Sequence, residues 1–214
     1  MAGDPLSFML LSLSSIIIIV NPLAATLTFV SLTGGMEEGT RIRVAKESCR
    51  YAFLILVVFA LVGGIILQLF GITIEAFRIG GGILLFLIGM EMVYARTSRA
   101  KLTATEKYES REAEDISMTP LAIPMIAGPG AITTTIVLVN EATGSLFEIG
   151  VVLASIVVAI FLTFFMMARS EKIVARIGQK EFRAVNRLMG MLLIAIAVQF
   201  VIAGLLSAFP VLGH

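Results

Sequence analysis

The chain has 214 residues, 58% of them hydrophobic, and a mean hydropathy of +1.00. This excludes a soluble domain folded around one buried core and points to a polytopic membrane protein. The net charge of +1, without a basic stripe interleaved with aromatics, argues against nucleic acid as a partner, and the single cysteine, Cys49, excludes an internal disulfide, a CxxC pair or a cysteine-built metal site.

Six apolar segments follow in order, at 7–33, 48–70, 76–95, 118–140, 147–168 and 187–208. Each reaches the ~20 residues that a span requires. The first has no basic n-region and no small-residue cleavage site, so it is expected to be a span and not a signal peptide. It holds Asn21-Pro22 near its centre. Asparagine is a good helix N-cap and proline is favoured at the first helical position, so the pair predicts a new half-helix starting at Pro22.

The fourth segment carries Pro120, Pro124, Gly128, Pro129 and Gly130, which an unbroken helix tolerates poorly. Lipid offers nothing to the backbone groups so freed, and such a break must be buried in protein or line a cavity. The two breaks correspond. Sliding the sequence along itself until Pro22 lies on Pro129 also lays Ala24, Thr26 and Thr28 on Ala131, Thr133 and Thr135. A nearly equal offset lays Arg78 on Arg187, Gly81 on Gly190 and Leu84 on Leu193. An internal duplication is expected.

Charge gives the orientation. Fifteen of the 16 Lys and Arg residues lie in or at the edges of the connections after segments 1, 3 and 5, and only Arg78 lies on the other side. By the positive-inside rule, loops 34–47, 97–117 and 169–186 are cytoplasmic and both termini face outside. Two halves of three spans each then cross in opposite senses, the inverted-repeat plan of many secondary transporters. The predicted fold is all-α: six transmembrane segments in two inverted three-helix repeats, 1–96 and 118–214, joined by the charged linker 97–117, with segments 1 and 4 discontinuous.

A half-helix starting inside the membrane presents N–H groups and a partial positive charge to an anionic group, and the half-helix ending there presents carbonyls. A zwitterion suits such a pair. The candidate substrate site is Asn21, Pro22, Leu23, Ala24 and Thr26 with Ala127, Gly128, Pro129, Gly130, Ala131 and Thr133. Threonines in membrane helices commonly bond their own backbone, which is the competing role for Thr26, Thr28, Thr133, Thr134 and Thr135. Gly63, Gly64, Gly80, Gly81, Gly82 and Gly89 read as sites of close helix approach.

Arg78, Glu91 and Gln199 are the ionisable or strongly polar residues within spans, with Gln68 near an end. They are candidates for coupling or gating, although Arg78 and Glu91, ~20 Å apart along one helix, cannot pair with each other. Gln199 faces either the site or a neighbouring helix. With His214 the only histidine and neither a GxSG nor an HExxH motif, no enzyme activity, metal or cofactor is expected.

Pro120–Ile132, Asn21-Pro22, Arg78–Leu85 and the stretch from Asn186-Arg187-Leu188-Met189-Gly190 to Ala197-Val198-Gln199-Phe200 resemble the MarC/SnatA family of bacterial and archaeal membrane proteins. The resemblance runs over essentially the whole chain and is most specific at Ala127–Ile132. It implies an inner-membrane transporter of small neutral amino acids such as glycine and alanine, driven by a proton gradient, with its site at Asn21–Ala24 and Gly128–Ala131. The rival classes are an ion channel or cation exchanger using the same breaks, and a membrane scaffold or regulatory protein using the linker.

Overall fold

A computed structural model describes residues 5–94, 116–142, 145–170, 173 and 179–209. The predicted linker 97–117 therefore lies outside the described residues except at its end. Every described element is helical: α1 (Pro5–Val20), α2 (Pro22–Thr33), α3 (Glu38–Leu69), α4 (Ile74–Val93), the irregular α5 (Ser117–Ile126), α6 (Pro129–Glu141), α7 (Leu146–Ala168) and α8 (Gln179–Ala208). Five spans are long and apolar enough to cross a membrane, α1 and α2 counting together as one, and a sixth results if α5 and α6 are one span bent by 53°.

Two element starts differ from the sequence reading. α3 begins at Glu38, so Arg41, Arg43 and Lys46 stand on its first turns and not in a loop. Its 32 residues measure ~48 Å at 1.5 Å per residue, well beyond a ~30 Å hydrocarbon core; helix continues into water because nothing in that stretch breaks it. α8 likewise starts at Gln179, ahead of the apolar run. Local capping is ordinary elsewhere. Thr73 Oγ1 accepts from the Ala76 N–H at 3.2 Å, and Ser145 Oγ accepts from the Glu148 N–H at 3.4 Å, side chains taking up N–H groups that helix geometry leaves free.

The main core lies among α1, α2, α3, α5, α6 and α7 and includes Phe29, Leu56, Leu121, Ile126, Leu138 and Ile156. A smaller cluster of Leu85, Met92, Leu193 and Ala197 joins α4 to α8. Those two helices run antiparallel and close. A Cβ on Gly82 would stand 2.8 Å from the Ala197 carbonyl oxygen, one on Gly89 3.0 Å from that of Gly190, and one on Gly204 3.1 Å from that of Glu75. Of the predicted close-approach glycines, Gly63 abuts Ile136 and Gly81 abuts Thr133, whereas Gly64 and Gly80 face open space.

Candidate functional site

Asn21, the single residue between α1 and α2, sits at φ 49° and ψ 70°, in the left-handed region that asparagine tolerates better than most residues. Its Oδ1 accepts from the Ala24 N–H at 3.1 Å, so it caps α2, and Pro22 opens that helix. Backbone bonding survives on either side: the Asn21 N–H donates to Ile17 O at 3.0 Å and the Ala25 N–H donates to Asn21 O at 3.1 Å. Pro22 has no N–H, which leaves the Ile18 carbonyl without its helical donor. The other end of the Asn21 amide, Nδ2, donates to Met92 Sδ at 3.5 Å. A thioether is a weak acceptor.

The second break is longer. Thr119 and Ile123 leave helical φ/ψ immediately before Pro120 and Pro124, because the proline ring crowds the residue that precedes it. The Ala127 N–H closes the stretch on Ala122 O at 2.9 Å. Gly128 is extended, at φ −75° and ψ 168°, and α6 starts at Pro129 with no side chain capping it. A Cβ on Gly128 would strike the Pro124 carbonyl oxygen, so glycine is what lets the chain fold back this tightly.

One stripe of α4 gathers the two breaks. Gly81 lies against Thr133, Leu85 against Gly130, and Met92 against Asn21. A Cβ on Gly130 would meet Leu85 and stand 3.7 Å from Ile19 Cγ2, which puts the start of α6 beside the end of α1. Thr28 Oγ1 lies 3.9 Å from Met125 Sδ, so α2 and α5 approach on the other side of the breaks. Asn21, Pro22, Thr26, Ala127, Gly128, Gly130, Ala131 and Thr133 are buried, Leu23 and Ala24 half-buried, and Pro129 exposed.

Most of the threonines bond their own helix. Thr26 Oγ1 donates to Pro22 O at 2.7 Å and Thr133 Oγ1 to Pro129 O at 2.9 Å. Thr135 donates to Ala131 O at 2.7 Å. Thr134 differs: it is 0% exposed and its hydroxyl has no partner among the described residues. Ser12 Oγ on α1 is also buried and without a partner among the described residues. Leu85 and Met92 are therefore parts of this neighbourhood that the site prediction left out, while Thr134 was weighed among the threonines but not placed in the site. The helical spacing of Gly81, Leu85 and Met92 along segment 3 was the available signal.

The three coupling candidates are not brought together. Arg78 pairs with Glu141 at 2.8 Å, joining the start of α4 to the end of α6. That partner was not foreseen, since the two lie in different halves of the sequence. Glu91 is half-buried beside Met92, near the end of α4, while Gln199 is exposed. A cavity of about 120 Å³ is lined by Phe29, Arg41, Met167 and Arg169 at one end of the bundle. Another of about 410 Å³ is lined by Gln68, Thr73 and Asn140 at the opposite end. The breaks lie between them. Among the described residues there is no group of three or more His, Cys, Asp or Glu side chains able to hold a metal ion.

Comparison with known proteins places this architecture. The family described as MarC family integral membrane protein matches residues 6–209. A UPF0056 membrane protein of Methanocaldococcus jannaschii is 39% identical over 206 residues, covering 95% of this chain and 98% of its own length. The UPF0056 membrane protein YvbG of Bacillus subtilis is 37% identical over 207 residues, covering 96% and 98%. The UPF0056 membrane protein YhcE of Escherichia coli is 33% identical over 194 residues, covering 90% and 89%. No solved structure matches the chain. With nearly its full length matched and with relatives in both bacteria and archaea, the chain belongs to the MarC family of multi-pass integral membrane proteins.

Proposed function

We propose that the protein is a secondary transporter that binds a small neutral amino acid between the two breaks and exposes it alternately on either side through two inverted repeats. The observation that carries this is the start of α6, uncapped by any side chain, where Gly128, Gly130 and Ala131 are buried and Gly130 lies against the end of α1. Unpaired N–H groups away from water are costly, and a carboxylate at such a helix N-terminus would satisfy them. The Asn21 Nδ2–H, held only by a thioether, is a donor that a substrate could take over. The Ile18 carbonyl and the Thr134 hydroxyl offer acceptors to an ammonium group. The residues at the second break, Ala127, Gly128, Gly130 and Ala131, are small, which favours glycine and alanine over larger amino acids.

Hydrogen bonds and packing support the repeat. Thr26 bonds Pro22 O, and Thr133, its counterpart in the second half, bonds Pro129 O in the same way. The Ala25 N–H bonds Asn21 O, and the Ile132 N–H bonds Gly128 O. Between α4 and α8, a register one residue shorter than the one that lays Gly81 on Gly190 carries Gly82 onto Gly190 and Gly89 onto Ala197. It therefore exchanges the contact of Gly82 with Ala197 for that of Gly190 with Gly89. A two-fold relation between halves of opposite sense has this property, and the antiparallel course of α4 and α8 fits it. Proton coupling and location in the cytoplasmic membrane rest on the resemblance to MarC/SnatA proteins and on the one-sided distribution of Lys and Arg.

The test is uptake of labelled glycine and alanine into proteoliposomes, with and without an inward proton gradient and with sodium substituted. Saturable uptake that rises with the proton gradient and is displaced by unlabelled amino acid is expected. Folded protein that takes up neither amino acid under any gradient would overturn the assignment.

A further inference from the structure

α8 contacts α4 through one stripe, Gly190, Ile194, Ala197, Val201 and Gly204. At about 100° per residue, the opposite face carries Leu188, Leu192, Ala195, Gln199, Ile202 and Leu206, and all six are exposed. Their spacing alternates four and three residues throughout, the repeat by which two helices pack along a common seam. Five of the six are apolar, as lipid contact alone would require. Gln199 is the exception.

Its depth makes the exception informative. Gln199 stands roughly 13 Å from the Ala208 end of the helix and roughly 18 Å from Arg187, farther from either interface than its side chain reaches. Hydrocarbon offers an exposed carboxamide neither donor nor acceptor. Among the described residues it has no hydrogen-bonding partner. Two copies of this chain inserted with the same orientation hold every residue at the same depth, so the group facing Gln199 across a shared seam is another Gln199. A carboxamide complements itself, donating through its nitrogen and accepting through its oxygen. Ala195, one turn away on the seam, is small enough to let the two backbones approach.

We propose that this face of α8 is a homodimer interface, in which Gln199 bonds Gln199 of the partner subunit across a two-fold axis along the bilayer normal. The arrangement leaves the α4 stripe, and with it the neighbourhood of the two breaks, inside each subunit.

Two measurements on the full chain test the interface. In a Cys49→Ala background, oxidation in native membranes should cross-link Gln199→Cys, Ile202→Cys and Leu206→Cys to twice the chain mass. Val157→Cys, exposed near the middle of α7, should remain monomeric. Equal cross-linking at all four sites, none at the α8 sites, or cross-links only to a different protein would each overturn the interface. In the second, labelled subunits are diluted in phosphatidylcholine and phosphatidylglycerol vesicles and association is followed by energy transfer. Loss of the interhelical bond in Gln199→Leu should weaken dimerisation roughly tenfold, and Gln199→Asn should restore part of it. Unchanged association of Gln199→Leu would overturn the role of the amide even if α8 cross-links.

Discussion

Asn21 combines three tasks in one side chain: a left-handed backbone, a cap on Ala24 and a donor spent on Met92. Substitutions separate them. Asn21→Ala loses the cap, about 1 kcal/mol, and incurs about 1–2 kcal/mol for a left-handed non-glycine residue. Asn21→Gly keeps the backbone conformation and loses only the side chain. The expected result is a lower melting temperature for the alanine variant than for the glycine variant, with substrate affinity reduced in both. Wild-type affinity in Asn21→Gly would remove the amide from the binding site. Thr134 invites the opposite experiment. Thr134→Val keeps the shape and removes a buried hydroxyl without a partner, whose desolvation costs about 1–3 kcal/mol. Thermal stability should hold or rise while uptake falls. A variant that is stabilised and transports normally would show that the hydroxyl has no part in transport.

Among the elements, the pairing of α4 with α8 is the one that tolerates least change. A Cβ on Gly89 would stand 3.0 Å from Gly190 O and 2.7 Å from Ile194 Cγ1, so one clash is with backbone that cannot turn aside. Gly89→Val should cost about 1–3 kcal/mol as an overpacked contact, measured as a drop in melting temperature in detergent. Gly80→Ala, on open space one helix face away, should leave stability unchanged or raise it, since alanine favours helix over glycine; an equal loss in the two would mean that close packing on α8 does not set the effect. The glycines of segment 3 were readable as an approach surface because small residues recur at helical spacing. Which neighbour each one meets was not readable, since Gly81 and Gly82, adjacent in sequence, face Thr133 and Ala197. The same limit applied at the breaks. Asn21-Pro22 and Gly128-Pro129 carry their own local chemistry, cap and first turn, and so were visible as half-helix starts. Met92 as the partner of Asn21, and Glu141 as the partner of Arg78, stand far from those residues in sequence and belong to no local pattern. α3 was read short for a different reason: its first turns are charged, and hydropathy registers the membrane boundary and not the end of the helix.

For the molecule as a whole, the deciding point of architecture is whether α5 and α6 cross the membrane or turn back within it. The ends of the pair answer in favour of crossing. Ser117 Oγ, at the start of α5, donates to Glu47 Oε2 at 3.3 Å, on the early turns of α3 that also carry Arg41, Arg43 and Lys46. Glu141, at the end of α6, pairs with Arg78, on the first turns of α4, just past the far end of α3. α3 is long and apolar enough to cross the bilayer, and a segment tied to both ends of a crossing helix is predicted to cross with it. Three crossings then separate Gly39 from Leu146, and by the positive-inside rule the excess of Lys and Arg around α3's start predicts Gly39 on the cytoplasmic side. Both positions suit labelling: a Cβ on Gly39 meets nothing within 4 Å, and Leu146 is 85% exposed. In a Cys49→Ala background, a membrane-impermeant maleimide should label Leu146→Cys in right-side-out vesicles and Gly39→Cys only in inverted ones. Labelling of both from one side would make α5 and α6 a re-entrant hairpin, leaving five spans and no inverted repeat. Opposite-sided labelling with the sides exchanged would keep six spans and reverse the orientation, placing the cavity lined by Arg41 and Arg169 on the outer face.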